Sequence, residues 1–189
     1  MLNNKKIVLL STSPRRIELL KKIVSNFEIK SPNFNENNSS KLLPKKLVLE
    51  NAVGKVNSLK HQKNKIYISC DTVVAFKNEI LGKPKNKIDC FNMLKKLSGN
   101  VHEVYTGIAM RCDDVIQTKI VITKVVFNTL KDKDIEKYIE QFNPIDKAGG
   151  YGIQDNFRLV KKIEGDYENV MGFPTKFIED LLRKFAYKF

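Results

Sequence analysis

The sequence predicts a mixed α/β fold, and three observations predict it. Apolar runs at Ile7 to Leu10 and Ile66 to Phe76 read as buried strands. Two long β-branched runs, Val101 to Arg111 and Val115 to Phe127, meet around Asp113-Asp114 as a hairpin. Helical periodicities lie between these strands without strict βαβ alternation, which favours a mixed sheet over a doubly wound parallel one.

In chain order, Lys6 to Ser11 reads as a strand and Pro14 to Val24 as a helix. Ser13 is placed as its N-cap and Pro14 at its first position. Phe27-Glu28-Ile29 is a second short strand. Ser31 to Ser40 is an Asn-rich loop, expected to move unless a ligand orders it. Leu47, Ala52, Val56 and Leu59 give a helix after Pro44. Lys87 to Leu97 is a helix, with Asn86 as cap and Gly99 just beyond its end. Asp132 to Gln141 is helical, with Ile135, Tyr138 and Ile139 on one face. A Gly-rich loop, Asp146 to Gly152, precedes a strand at Leu159 to Ile163 and a final helix at Pro174 to Phe185.

A chain of 189 residues with 42% hydrophobic content forms one domain, residues 1–189, with a buried core. The net charge of +13 suits anionic partners. The lysines are dispersed, tryptophan is absent, and no aromatic-basic stacking motif or zinc module occurs, which argues against nucleic acid. Three scattered cysteines, Cys70, Cys90 and Cys112, form no C-x-x-C pair and read as reduced thiols of a cytoplasmic protein. No run approaches the roughly 20 apolar residues of a membrane span. His61 and His102 are isolated and suggest no histidine metal site.

Several residues carry candidate chemistry. Only five of the 34 basic residues are arginine, and Arg15 and Arg16 stand together at a helix start, after Ser13. Unpaired N–H groups and guanidinium forks there suit phosphate oxygens. Asp71 interrupts the strongest buried strand, and a carboxylate is costly there unless paired, hydrogen-bonded or bound to metal. Beside phosphate it can hold a divalent cation or take a proton from water. Glu36 alone reads as a solvated loop acid. Lys55 falls on a helix face with Ala52 and Val56. Lys83, between Gly82 and Pro84, can be aimed at a phosphate or be an exposed turn lysine. Lys147 and Gln154 flank a glycine cluster, and the Gln154 amide can match a pyrimidine edge.

Taken in order, Leu10 to Leu20, Asp71-Thr-Val-Val74, Leu81-Gly-Lys-Pro84, Val104-Tyr-Thr-Gly107, Asp146 to Gln154 and Gly172-Phe-Pro174 resemble the Maf nucleoside triphosphate pyrophosphatases. The resemblance covers essentially the whole chain. It implies an inosine-triphosphate-pyrophosphatase-like fold: an elongated twisted sheet, helices on its sides, and a cleft between two lobes. It implies hydrolysis between the α and β phosphates of a nucleotide, with Mg²⁺ or Mn²⁺ as cofactor. Asp71 matches the catalytic acid, as base, metal ligand or both, and Glu36 a second metal-side acid. Ser13, Arg15, Arg16, Lys55, Lys83 and Lys147 match phosphate-side positions. Arg15, Thr72 and Gln154 match positions that separate subfamilies, and together they resemble the branch acting on dTTP and UTP; a 7-methyl-GTP branch differs at Thr72 and Gln154. A homodimer is implied in the same way. Departures are Cys70 for a small residue, Asp155 for glycine, Phe173 for leucine, and Asn35 for an acid. The rival readings are a basic nucleic-acid-binding protein and a cell-division interaction protein with a vestigial cleft.

Overall fold

The computed structural model describes residues 5–37, 42–77, 79–155 and 157–187. Of the Asn-rich loop, positions 38–40 lie outside the described residues. The ordered elements are β1 (Lys6–Leu10), α1 (Pro14–Lys21), β2 (Phe27–Lys30), α2 (Pro44–Asn57), β3 (Lys65–Phe76), β4 (Glu79–Leu81) and α3 (Lys87–Leu97). Then come β5 (Val101–Cys112), β6 (Val115–Phe127), α4 (Asp132–Phe142), three 3₁₀ turns between Pro144 and Asp155, β7 (Val160–Glu164), α5 (Tyr167–Val170) and α6 (Thr175–Lys184).

One seven-stranded mixed sheet runs in the order β2-β1-β3-β5-β6-β7, with β4 added to β3. β1 is parallel to both β2 and β3, and the remaining pairings are antiparallel. The long β3, β5 and β6 form the spine. Two principal cores lie along it. One packs Leu9, Leu19, Ile68, Ile108, Phe173 and Leu182 between β1, α1, the spine and α6. The other packs Val74, Leu94, Val104, Phe127 and Tyr138 among β3, α3, the spine and α4. These two cores are the expected lobes.

A break in the sheet sets up the site. On one side β3 pairs with β5 from Ile66 to Ala75. On its other side β1 pairs only with Lys65–Ile68, and β4 only with Val74–Phe76. Among the described residues, no strand lies beside the intervening edge of β3, residues 69–73. Backbone groups exposed along such a gap need other partners.

α1 is shorter than expected. It ends at Lys21 because Lys22 and Ile23 turn back onto the Leu19 and Leu20 carbonyls, although Val24 is still buried. Ser13 sits at the N-cap, but its side chain makes no capping bond. Instead Ser11 Oγ accepts from the Ser13 N–H at 3.2 Å. The Ser13 hydroxyl is thereby left to the cavity it lines. α3 matches expectation: the Asn86 side chain accepts from the Asp89 N–H.

Candidate active site

A cavity of about 450 Å³ opens at the break in the sheet, within the size range of small-molecule sites. It lies outside the carboxyl end of β1, the usual ligand position in such sheets. Ser13, Arg15, Arg16, Glu36, Lys55, Thr72 and Lys83 line it, with Lys147, Tyr151 and Gln154 from the segment of 3₁₀ turns between Pro144 and Asp155.

The unpaired edge of β3 is satisfied by charge. The Cys70 carbonyl accepts from Arg16 Nη1 at 2.7 Å and from Lys55 Nζ at 3.2 Å. Arg16 also donates through Nε to the Gly172 carbonyl at 3.0 Å and through Nη2 to Thr72 Oγ1 at 3.3 Å. Its fork therefore braces the first helix against β3 and the segment before α6, while the residue also lines the cavity.

Asp71 follows Cys70 and projects to the opposite side of β3 from Thr72, as strand alternation requires. It is 6% exposed. Lys55 Nζ stands 2.7 Å from Asp71 Oδ1 and 2.7 Å from Glu36 Oε1. Asn51 Nδ2 donates to Asp71 Oδ2 at 3.0 Å. The buried pair is thus hydrogen-bonded on both sides, which is the condition under which a buried carboxylate is tolerated. Asp71 stands behind Lys55 and Glu36, the lining residues through which it meets the cavity. The lysine and the two acids converge as a compact cluster.

Asn51 and Lys55 reach Asp71 because α2 presses close to the sheet. Asp71 pairs with Gly107 across β3 and β5. A Cβ on Gly107 would overlap the backbone of Val48 in α2. The bare glycine is what lets the helix descend to the row of the acid.

Electrostatics follow from these contacts. Burial works to raise the pKa of Glu36, but the charge and hydrogen bond of Lys55, with Lys83 and Arg16 beyond, hold it below the usual carboxylate range. Asp146 behaves alike: burial raises it, yet hydrogen bonds from Lys147 and Arg15 prevail and keep it low. Arg15 Nη1 and Lys147 Nζ lie 3.0 and 3.1 Å from its carboxylate oxygens. Burial pushes the Cys70 thiol up to about 11, so it remains protonated and is no nucleophile.

Gln154 is held by its neighbour. Gln154 Nε2 donates to Asp155 Oδ1 at 3.1 Å. Tyr138 Oη donates to Asp155 Oδ2 at 2.6 Å and accepts from the Gly152 N–H at 2.8 Å. Asp155, a departure at the sequence level, thus anchors the loop.

The donor set fits a hard divalent cation. Asp71 and Glu36 bring two carboxylates together beside a cavity suited to phosphate, with Lys55 Nζ standing between them, and Mg²⁺ takes one or two carboxylates with phosphates and waters. Among the described residues no group of three or more His, Cys, Asp or Glu converges for a metal, so phosphate and water would complete any shell.

Sequence reasoning brings together the residues of this site but misses Asn51. Its signal was its place one helical turn before Lys55 on the buried face of α2.

Fold and site together define an α/β protein with a cationic, acid-backed cleft for a phosphorylated small molecule. The chain belongs to the Maf family: the Maf-like protein model matches residues 6–185. It is 42% identical over 188 residues to a dTTP/UTP pyrophosphatase of Dictyoglomus turgidum, covering 97% of each chain. It is 45% identical over 192 residues to a dTTP/UTP pyrophosphatase of Clostridium botulinum, covering 94% of this chain and 96% of the relative. Among solved structures, Staphylococcus aureus Ham1 superposes with a TM-score of 0.52 at 18% identity, over 96% of this chain and 98% of that one, a likeness of fold.

Proposed function

We propose that the protein is a nucleoside triphosphate pyrophosphatase that hydrolyses dTTP and UTP to the monophosphate and pyrophosphate. The observation that carries the reading is the convergence of Asp71, Lys55 and Glu36 at the gap in the sheet. Arg16 is tied to that cluster through a single carbonyl. The names of the relatives support the same activity.

In this reading Arg15, Lys83, Lys147 and the spare donors of Arg16 hold the phosphate chain, aided by the first N–H groups of α1. Water attacks the α phosphorus, the bridging bond to the β phosphate breaks, and pyrophosphate leaves. Asp71, fixed by Lys55 and Asn51, takes the proton released by the water. Asp71 and Glu36 would hold a Mg²⁺ or Mn²⁺ ion, which when bound neutralises phosphate oxygens and orients water. Positioning and charge neutralisation supply most of the rate. Gln154, Thr72 and Arg15 select the base.

A cytoplasmic location belongs to this reading; the three cysteines are free and buried, and no helix among the described residues is long and apolar enough to cross a membrane. A homodimer is part of it too, and sedimentation tests it. The decisive experiment is pyrophosphate release from a panel of triphosphates, with and without divalent metal. UTP and dTTP are expected to lead. A clear preference for 7-methyl-GTP, or no hydrolysis of any triphosphate, would overturn the reading.

A further inference from the structure

Residues 31–37 reach the cavity by lying along α2, and three contacts hold them there. The Asn33 N–H donates to Ser58 Oγ at 3.1 Å, just past the helix end. The Phe34 ring fills the space over Gly54, where a Cβ would overlap it. The Asn37 N–H donates to Asn51 Oδ1 at 2.8 Å, and the Asn37 carbonyl accepts from Asn51 Nδ2 at 3.0 Å. Positions 58, 54 and 51 are spaced as one helical face. Glu36 falls between the last two anchors and meets Lys55 there.

Asn51 is 2% exposed, and its amide also donates to Asp71 Oδ2. Both of its N–H donors are thus committed: one to the segment that carries Glu36, the other to the buried acid. Gly54 sits mid-helix, where glycine is the poorest helix former after proline. The room it leaves for Phe34 accounts for it.

We infer that Asn51 and Gly54 are positioning residues, which dock segment 31–37 on α2 and so fix Glu36 relative to Asp71. The inference rests on the reading of those two acids as the reactive ones. It assigns α2 a second task beyond carrying Lys55: it is the rail on which one wall of the cavity is laid.

Gly54→Ala separates this role from a purely structural one. Alanine strengthens the helix but evicts the Phe34 ring. The melting temperature should stay level or rise, while kcat for UTP falls about a hundredfold and KM changes by less than about threefold, the pattern of misplaced catalytic groups. Asn51→Ala is the second variant, expected to lower kcat in the same way. Hydrogen exchange at the Asn37 amide should quicken in both, a readout independent of turnover. Parental kcat despite faster exchange would overturn the inference, as would lost kcat with exchange unchanged. If the parent protein failed to hydrolyse UTP, the functional reading would fall, and exchange at Asn37 would still decide the docking.

Discussion

Arg16 and Lys55, from two different helices, share one acceptor, the carbonyl of Cys70. This places a guanidinium and an ammonium on the backbone immediately before Asp71, where no strand of the described residues lies beside β3. The two cations do the work of a strand and leave the edge open to a ligand.

Replacing Arg16 by lysine tests the brace. A lysine cannot span Gly172, Cys70 and Thr72 at once, because it lacks the planar fork. The Cys70 carbonyl keeps Lys55 and Thr72 keeps Thr106, but the Gly172 carbonyl loses its guanidinium donor, at a cost of about 1–3 kcal/mol if it is left unpaired. Urea denaturation of Arg16→Lys should show the loss as a lower midpoint; an unchanged midpoint would show that the fork is dispensable.

Asp71→Asn should abolish pyrophosphate release while nucleotide still binds. The amide keeps the shape but cannot accept the proton. A drop of about a hundredfold or more is expected for a general base. Near-normal turnover would remove Asp71 from the chemistry, and competition binding with a non-hydrolysable nucleotide would confirm that the cleft is intact.

Gly107→Ala should damage both stability and turnover. The added methyl meets the Val48 backbone, which cannot swing aside as a side chain can. Overpacking of this kind costs about 1–3 kcal/mol. α2 must lift away from the row of Asp71, so loss of activity should exceed what the unfolded fraction explains. An active, equally stable variant would show that the close approach is not needed.

Base selectivity should depend on Asp155. An ionised carboxylate only accepts hydrogen bonds, so it holds the Gln154 NH₂ toward itself and forbids the flipped amide. On the proposed reading the Gln154 oxygen would then meet the base as an acceptor, suited to the N3–H of uracil or thymine and not to the bare N3 of cytosine. Asp155→Asn tolerates either amide orientation. The ratio of UTP to CTP hydrolysis should fall by about tenfold, the worth of one net hydrogen bond. An unaltered ratio would exclude this orienting role.

Acid should weaken the protein through His102. Burial lowers its pKa from 6.5 to about 4. It lies against Phe127 and Tyr151, with Nε2 at 2.7 Å from the Tyr151 hydroxyl. Between these pH values the unfolded chain carries a proton that the folded chain does not. Stability therefore rises with pH across that window, by about 1.4 kcal/mol per unit, and is lost as pH falls. Glu36 and Asp146, held low in the fold, contribute stability above their unfolded values and lose it only at more acidic pH. His102→Gln should flatten the slope between about 4 and 6.5, read from urea titrations at several pH values. A slope equal to that of the parent would assign the dependence elsewhere.

The long elements were legible because their patterns repeat over several turns or pairs. α3 carries its own cap in Asn86, and β5 and β6 announce their hairpin at Asp113-Asp114. β4 and α5 escaped because three and four residues are too few to display a period. Glu36 and Lys55 were placed in the site only by the family resemblance, whereas Arg15, Arg16, Asp71, Lys83 and Lys147 stood out because each interrupted an apolar context or joined a motif. Asn51 and Gly54 did not, since a polar residue and a glycine within a helix read as a solvated face and a weak point. Their value appears only when residues 33–37 are laid beside them. Ser13 illustrates the converse: the local rule named the right position, but the side chain there makes no capping bond.

Asp71 and Thr72 are adjacent links of the chain that look out from opposite surfaces of β3, one toward α2 and the other toward Arg16. On the proposed reading, the acid that would take the proton and a residue that would select the base stand on opposite faces of one strand, at one shared cavity. A lineage could then change its choice of nucleotide at one face of the strand while leaving the other face, and the acid on it, as they are.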